Sequence, residues 1–242
     1  MQRLIEGAQA LGLHLTSSQE AAFQLYYEEL VAWNERFNLT AITDYEQVQI
    51  RHFLDSLSCL QAEETRLALS QADARAIDVG TGAGFPGIPL KLVCPAVRLT
   101  LLEATGKKVA FLQHLIERLE LRRVVAIKAR AEELAHDPAH RERYHLALIR
   151  AVASLPVAVE YALPFCCMGG WLIAQKGEAG AAEAWTASKA IDLLGGTLRR
   201  VEHLELPGLP EDRCLIVIEK VSPTPTLYPR RPGTPSKRPL VD

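Results

Sequence analysis

The sequence predicts an α/β protein built on an open, largely parallel sheet, with a helical region ahead of it. Three observations carry that prediction. Arg75-Ala-Ile-Asp-Val79 is a short apolar stretch with one acid, Asp78, that runs straight into Gly80, Gly82, Gly84 and Gly87. A strand ending in such a loop and followed by a helix is the ligand-binding end of an open α/β sheet. From Arg75 onward, apolar runs alternate with helix-like stretches, the pattern of a sheet with crossover helices. Glu103 then closes the next apolar run, twenty-three residues after Gly80, where an acid can accept hydrogen bonds from ribose hydroxyls.

The elements follow in order. Residues 1 to about 60 read as helical. Thr16-Ser-Ser-Gln-Glu20 offers two overlapping capping boxes, Thr16 with Gln19 and Ser17 with Glu20. Phe23, Tyr26, Leu30, Trp33 and Phe37 then recur at steps of three and four, an apolar stripe whose aromatics read as core. Asn38-Leu-Thr-Ala-Ile-Thr43 breaks the pattern, and a second helix runs from about Tyr45 to Leu60, with His52 near its packed face. After the glycine loop, strands are expected at Leu99–Leu102, Val124–Ile127, His145–Ile149, Trp171–Ala174, Leu198–Leu206 and Cys214–Ile218. A helix carrying Leu112, Leu115, Ile116 and Leu119 on one side separates the second and third strands, and another spans about Ala181 to Leu194. That makes seven strand candidates. The last twenty residues hold Pro223, Pro225, Pro229, Pro232, Pro235 and Pro239, which cannot continue a helix or a ladder, interleaved with Arg230, Arg231, Lys237 and Arg238. They read as an extended basic tail. The organisation expected is a helical region over 1–60, a Rossmann-like domain over 61–222 and the tail over 223–242.

Composition bounds the function. A chain of 242 residues, 48% hydrophobic and 23% charged, buries a sizeable core and is ordinary for a globular protein. No apolar run is long enough to span a membrane, and no signal-peptide pattern is seen. Five scattered cysteines make neither a disulfide framework nor a zinc spacing, so a reducing, cytoplasmic setting is expected. A net charge of −2 argues against a uniformly basic nucleic-acid binder and leaves room for a local basic patch. No metal site is expected: His136-Asp-Pro-Ala-His140 holds a proline and lacks further ligands in register.

The loop spacing is G-x-G-x-G rather than the dinucleotide G-x-G-x-x-G, and it resembles the first motif of S-adenosylmethionine-dependent methyltransferases. Ala131-Glu132-Glu133 falls after the third strand, where a backbone N–H and a carboxylate could read an adenine edge; a solvated pair of acids is the competing reading. The fourth strand ends at Arg150-Ala-Val-Ala-Ser154, facing methyl group and acceptor in that class. It has no Asn/Asp-Pro-Pro-aromatic element, and Cys166 and Cys167 read as packing, so neither amine nor covalent carbon methylation is favoured. A ring nitrogen with a free lone pair, such as guanine N7, needs alignment and exclusion of water but no general base. No catalytic acid or base is therefore expected. Arg150 is a candidate to hold the cofactor's tail or the acceptor, with a structural salt bridge as the competing reading.

Trp33-Asn-Glu-Arg-Phe-Asn-Leu-Thr-Ala-Ile-Thr43, His52-Phe-Leu-Asp-Ser56, Asp78-Val-Gly-Thr-Gly-Ala-Gly-Phe-Pro-Gly-Ile-Pro89, Arg150 through Ser154 and Tyr228 through Leu240 together resemble one family over nearly the whole chain. It is the bacterial small-subunit ribosomal RNA guanine-N7 methyltransferases, also called the glucose-inhibited division protein B family. The resemblance implies the class I methyltransferase fold, a Rossmann-like seven-stranded sheet whose last strand is inserted antiparallel. It implies transfer of a methyl group from S-adenosylmethionine to N7 of one guanine (guanine 527) of 16S rRNA. Family cofactor contacts fall on Gly80, Gly82 and Phe85, on Glu103, Ala104 and Thr105, on Ala131 and Glu132, and on Arg150. Family members often have Asp where this chain has Glu103, whose extra methylene still allows the ribose contact. The partner implied is 16S rRNA or the 30S subunit and its precursors, with no membrane and no obligate protein partner.

For RNA contact the tail cations Arg230, Arg231, Lys237 and Arg238 are the main candidates, each contributing a salt-dependent increment against phosphate. Removing the tail is expected to spare cofactor binding while weakening RNA binding. A nicotinamide-dependent oxidoreductase, a non-catalytic RNA-binding protein and a methyltransferase with a small-molecule or protein acceptor are the alternative readings. Cofactor binding separates the first two from the methyltransferases.

Overall fold

The computed structural model describes residues 1–241. Helices α1 (Gln2–Ala10) and α2 (Ser17–Phe37) open the chain. Of the two overlapping capping boxes, Thr16 with Gln19 is the one formed: Gln19 N donates to Thr16 Oγ1 at 3.3 Å and Thr16 N to Gln19 Oε1 at 2.8 Å. Phe23, Tyr26 and Leu30 of α2 are fully buried. The next helical run covers residues 45–61, close to the expected extent, but it is not one regular helix. It passes from α3 (Tyr45–Val48) through a π-helical stretch (Gln49–Leu54) to α4 (Asp55–Leu57) and a 3₁₀ turn (Ser58–Gln61), and α5 (Glu63–Ser70) follows. The widened stretch carries Arg51 and His52, and such π segments recur at functional sites.

The rest alternates. In order come β1 (Arg75–Val79), α6 (Gly87–Val93), β2 (Arg98–Glu103), α7 (Gly106–Arg118), β3 (Val124–Lys128), α8 (Ala131–Leu134), β4 (Tyr144–Arg150) and α9 (Leu155–Ala162). Then follow β5 (Cys166–Gly177), α10 (Gly180–Thr186), α11 (Ser188–Leu193), β6 (Gly196–Leu204), β7 (Arg213–Lys220) and α12 (Thr234–Lys237). The helix expected over about Ala181 to Leu194 is thus two, broken at Ala187. All seven strands form one sheet in the order β3-β2-β1-β4-β5-β7-β6. Strands β1 to β5 are parallel, and β7 runs antiparallel between β5 and β6. The order reverses between β1 and β4, so a crevice opens outside their carboxyl ends.

Alternating side chains send each strand into two cores. Ala76, Leu146, Ile173 and Val217 face the amino-terminal helices in a cluster shared with Leu4, Phe23, Tyr26 and Leu30. Ile77, Ile149, Leu172 and Ile216 face the other way, against Leu155, Val159 and Ile191. The amino-terminal helices therefore cover one face of the sheet rather than standing apart from it.

Tyr26 makes the tightest link between those helices and the glycine loop. Its hydroxyl donates to Ala83 O at 2.6 Å, and its ring stacks on Phe85 with centroids 5.3 Å apart. Gly84 is required beneath it: φ is +103°, and a Cβ there would lie 2.6 Å from the Tyr26 hydroxyl.

The final segment departs from the extended tail read in the sequence. Residues Thr234–Lys237 form a helical turn, and Pro229 and Pro235 are buried. Proline keeps this stretch out of a ladder, but side chains of the body meet its backbone instead. Arg141 donates to Thr224 O at 2.7 Å and Tyr228 O at 2.9 Å, and Glu160 accepts from Arg230 N at 2.8 Å.

Tyr26→Phe deletes one hydroxyl and strands a carbonyl in a closed core. We expect a loss of about 1–3 kcal/mol in unfolding free energy, read from urea denaturation at unchanged slope.

Candidate active site

Because β1 to β5 are parallel, their carboxyl ends share one edge, and two adjoining cavities lie along it. The first, about 300 Å³, is bounded by Gly80, Glu103, Ala104, Ala131, Glu132 and Tyr161 among others. The second, about 350 Å³, is bounded by Arg51, His52, Asp55, Arg150, Gln175, Lys176 and Arg213 among others. Ala151 borders both, in a left-handed conformation with φ of +54° that a non-glycine residue adopts only under constraint.

The first cavity is organised by two acids. Asp78 is completely buried; its Oδ2 accepts from Thr81 Oγ1 at 2.5 Å and from Gly87 N at 2.8 Å, which ties both ends of the loop together. Burial pushes the Asp78 carboxyl up to about 6, against the lowering effect of these hydrogen bonds and of Arg150. Glu103, at the end of β2, uses one oxygen for Gly82 N at 3.0 Å and the other for Thr105 N at 2.8 Å. Gly82 and Thr105, expected as cofactor contacts, do not line the cavity themselves; their backbone N–H groups orient the carboxylate that does. The bare glycine backbone, the acid at the mouth of β2 and an apolar wall of Leu102, Ala104 and Val152 fit a nucleoside, with Lys108 and Arg130 also in the lining.

Glu132 departs from expectation. Its carboxylate is neither solvated nor free to read a base: it is buried, and Oε1 accepts from Gly233 N at 3.0 Å. Only its backbone and that of Ala131 remain to meet an adenine edge. Phe85 does not border the first cavity. It packs beneath the second, flanked by Tyr26 and by His52, whose ring stacks on it at 4.5 Å, with the Arg150 guanidinium 5.2 Å from its centre.

Arg150 stands in the second cavity, apart from the acids of the first. Its Nη1 donates to Asp55 Oδ2 at 2.7 Å, while Arg213 Nε donates to Asp55 Oδ1 at 3.2 Å. Asp55 is thereby neutralised by two arginines from β4 and β7. Gln175 donates to Asp55 O at 2.6 Å, and its Oε1 has no partner among the described residues. His52 sits with Nε2 2.9 Å from Thr40 Oγ1 and Nδ1 3.2 Å from Arg51 O. Burial, then the Arg150 charge, pushes its imidazole down to about 4. Sequence reasoning singled out Arg150 here but gave no role to Asp55, Gln175, Lys176 or Arg213, which come from elements far apart in the chain.

The remaining candidates separate. Arg230 is held by Glu160, which is fully buried, with Nη2 to Oε2 at 2.6 Å and Nε to Oε1 at 2.9 Å. It is committed within the protein, which corrects its reading as a free cation for RNA. Arg231, Lys237 and Arg238 are exposed, with no ion pair among the described residues. His136 Nε2 lies 2.8 Å from Pro229 O and His140 Nδ1 lies 2.6 Å from the Tyr144 hydroxyl, so each has a structural partner. No helix among the described residues is long and apolar enough to cross a membrane.

Comparison with known proteins adds the family context. A family model described as rRNA small subunit methyltransferase G matches residues 19–213. The ribosomal RNA small subunit methyltransferase G of Dehalococcoides mccartyi is 47% identical over 241 residues, covering all of both chains. That of Roseiflexus castenholzii is 49% identical over 243 residues, again covering all of both. Among solved structures, TrmN from Thermus thermophilus aligns with a TM-score of 0.51 at 18% identity, over 72% of this chain and 53% of that one. A point mutant of MtNAS in complex with S-adenosylmethionine aligns at 0.53 and 17% identity, over 82% and 73%. At such identities these two likenesses concern the fold alone.

The His52 shift fixes a sign. With its folded pKa depressed below 6.5, the neutral imidazole contributes stability that is complete above pH 6.5 and is lost as pH falls towards 4. Asp78, raised to about 6, acts oppositely, so the comparison must isolate His52. Between pH 7 and 4.5 the parent should lose on the order of 2 kcal/mol more unfolding free energy than His52→Asn, measured by urea titration at each pH.

Proposed function

The chain belongs to the rRNA small subunit methyltransferase G family, and from that premise we propose that it methylates N7 of one guanine of 16S rRNA, guanine 527. The methyl donor is S-adenosylmethionine, which supplies a methyl group on a sulfonium. The first cavity holds this cofactor: Glu103 takes the ribose, the Gly80–Gly82 backbone passes beneath, and the backbone at Ala131 and Glu132 meets the adenine. The second cavity receives the target base, turned out of its stack.

One observation carries the N7 reading: the acceptor cavity offers no available base. Asp55 is tied to Arg150 and Arg213, and His52 is buried and hydrogen-bonded with its basicity suppressed. An acceptor that had to lose a proton would find nothing to take it. A ring nitrogen with its own lone pair needs none; a bond from N7 to the methyl carbon forms as the sulfur–carbon bond breaks, and the positive charge moves to the base. The protein's part is then alignment and exclusion of water. The donors of Arg150 and Arg213 suit a base edge that presents acceptors, such as O6 of guanine. Arg231, Lys237 and Arg238 are the cations left to follow RNA phosphates, and a cytoplasmic enzyme acting on the ribosomal RNA or the assembling 30S subunit is the setting this implies.

The reaction is tested by methyl transfer from labelled S-adenosylmethionine to undermodified 16S rRNA and to 30S subunits, followed by nucleoside analysis. Label is expected in 7-methylguanosine; label in any other nucleoside would defeat the N7 assignment. Glu103→Ala should weaken S-adenosylhomocysteine binding by roughly tenfold to a hundredfold in calorimetry, through lost charge-assisted hydrogen bonds and a loosened Gly82. Unchanged affinity would remove the ribose role.

A further inference from the structure

We propose that the carboxy-terminal segment from Tyr228 to Leu240 is a strap that sets the shape of the cofactor cavity, with Arg230, Gly233 and Ser236 as positioning residues. The inference rests on the cofactor reading of the first cavity given above. Three contacts carry it, and each grips an element that walls that cavity. Gly233 N donates to Glu132 Oε1 at 3.0 Å, and Glu132 belongs to α8, whose first residues border the adenine end. Ser236 Oγ lies 2.8 Å from the hydroxyl of Tyr161, a cavity residue at the end of α9. Arg230 engages Glu160, the residue before it, through its backbone N–H at 2.8 Å and through its guanidinium. Burial of the Tyr161 side raises its phenol above the ordinary range, so the hydroxyl stays a neutral hydrogen-bonding group.

The segment is anchored independently of these three. Arg141 donates to carbonyls of Thr224, Pro225 and Tyr228, His136 Nε2 meets Pro229 O, and Tyr228 and Leu240 pack on the core of that face. Glu160 is the decisive element. A carboxylate with no exposure is costly unless it is paired and hydrogen-bonded, and here its partners come from the strap, through Arg230. Helix α8 has four residues and too few internal hydrogen bonds to hold a fixed position unaided. The Gly233 N–H supplies an outside restraint at its second residue.

Loss of the strap should therefore weaken cofactor binding, where loss of a free tail would spare it. Four proteins test this by calorimetric titration with S-adenosylhomocysteine, alongside thermal melting: a chain lacking residues 228–242, Ser236→Ala, Tyr161→Phe and the double variant of the last two. The shortened chain, if it melts cooperatively, should bind about tenfold more weakly or worse. Ser236→Ala should weaken binding about two- to fivefold, the contribution of one hydrogen bond, although Ser236 is exposed and outside the cavity. Adding Ser236→Ala to Tyr161→Phe should cost nothing further, because both remove the same bond. In methyl transfer at saturating rRNA, the KM for S-adenosylmethionine should rise with kcat nearly unchanged. A folded shortened chain with parental affinity overturns the strap; should that chain not fold, parental affinity in Ser236→Ala overturns it instead. Failure of the full-length chain to bind S-adenosylhomocysteine would strike the cofactor reading itself.

Discussion

The edge of the sheet where both cavities lie depends on one buried carboxylate. Asp78 closes the glycine loop on itself, joining Thr81 near its start to Gly87 at the first turn of α6. No side chain fits at Gly87, since a Cβ there would stand 2.8 Å from Asp78 Oδ2 and from Leu101 Cδ2. Burying a carboxylate is unfavourable, and the elevated pKa records that cost. The arrangement persists because the loop's own donors offset it, and because the loop is gripped a second time through Ala83 by Tyr26. Two independent clamps, one from the sheet and one from α2, leave the backbone at Gly80 little room to drift. Precise placement of backbone is what a site that works by alignment requires.

Buried charge recurs as the means of joining remote segments. Asp55 draws together α4, β4 and β7 through Arg150 and Arg213, and Glu160 draws the strap onto α9 through Arg230. Lys220, fully buried, does the same at the foot of the strap by donating to Leu194 O at 2.9 Å and to Thr224 Oγ1. Such pairs contribute little net stability compared with an apolar core of the same shape. They do penalise every arrangement in which a partner is missing. That discrimination, more than strength, explains charged groups in the walls of both cavities.

The sheet and most of its crossover helices were legible because they are local. Apolar runs, mostly of four or five residues, glycine spacing and an acid at a fixed distance all lie within short windows, and each of the seven strands overlaps the stretch expected for it, although β5 begins at Cys166 rather than Trp171. Glu103 was legible for the same reason, though its service to Gly82 N was not. The second cavity was not legible from local pattern, because its residues meet only in three dimensions: Asp55 and Arg213 are 158 positions apart, and Arg51 enters on a π-helical stretch that ordinary periodicity does not announce. The regular helix read through residues 45–60 has the correct buried side chains, Phe53, Leu57 and Leu60, and the wrong winding.

The tail shows why composition misleads at chain ends. Six prolines and four cations in twenty residues have the statistics of an extended, solvated segment. Proline, however, removes only a donor and fixes φ; it does not prevent a segment from docking wherever side chains of the body meet its carbonyls. Arg141 does so from below, and Glu142, Glu132 and Glu160 accept the N–H groups of Thr224, Gly233 and Arg230. Once docked, the segment divides its charges. Arg230 turns inward and is committed to structure, while Arg231, Lys237 and Arg238 stay outward. A polyanion held by those outward cations would pull on the same backbone that fixes α8 and the end of α9. Binding on the two sides of that backbone would then be thermodynamically linked, each favouring or opposing the other by an equal factor.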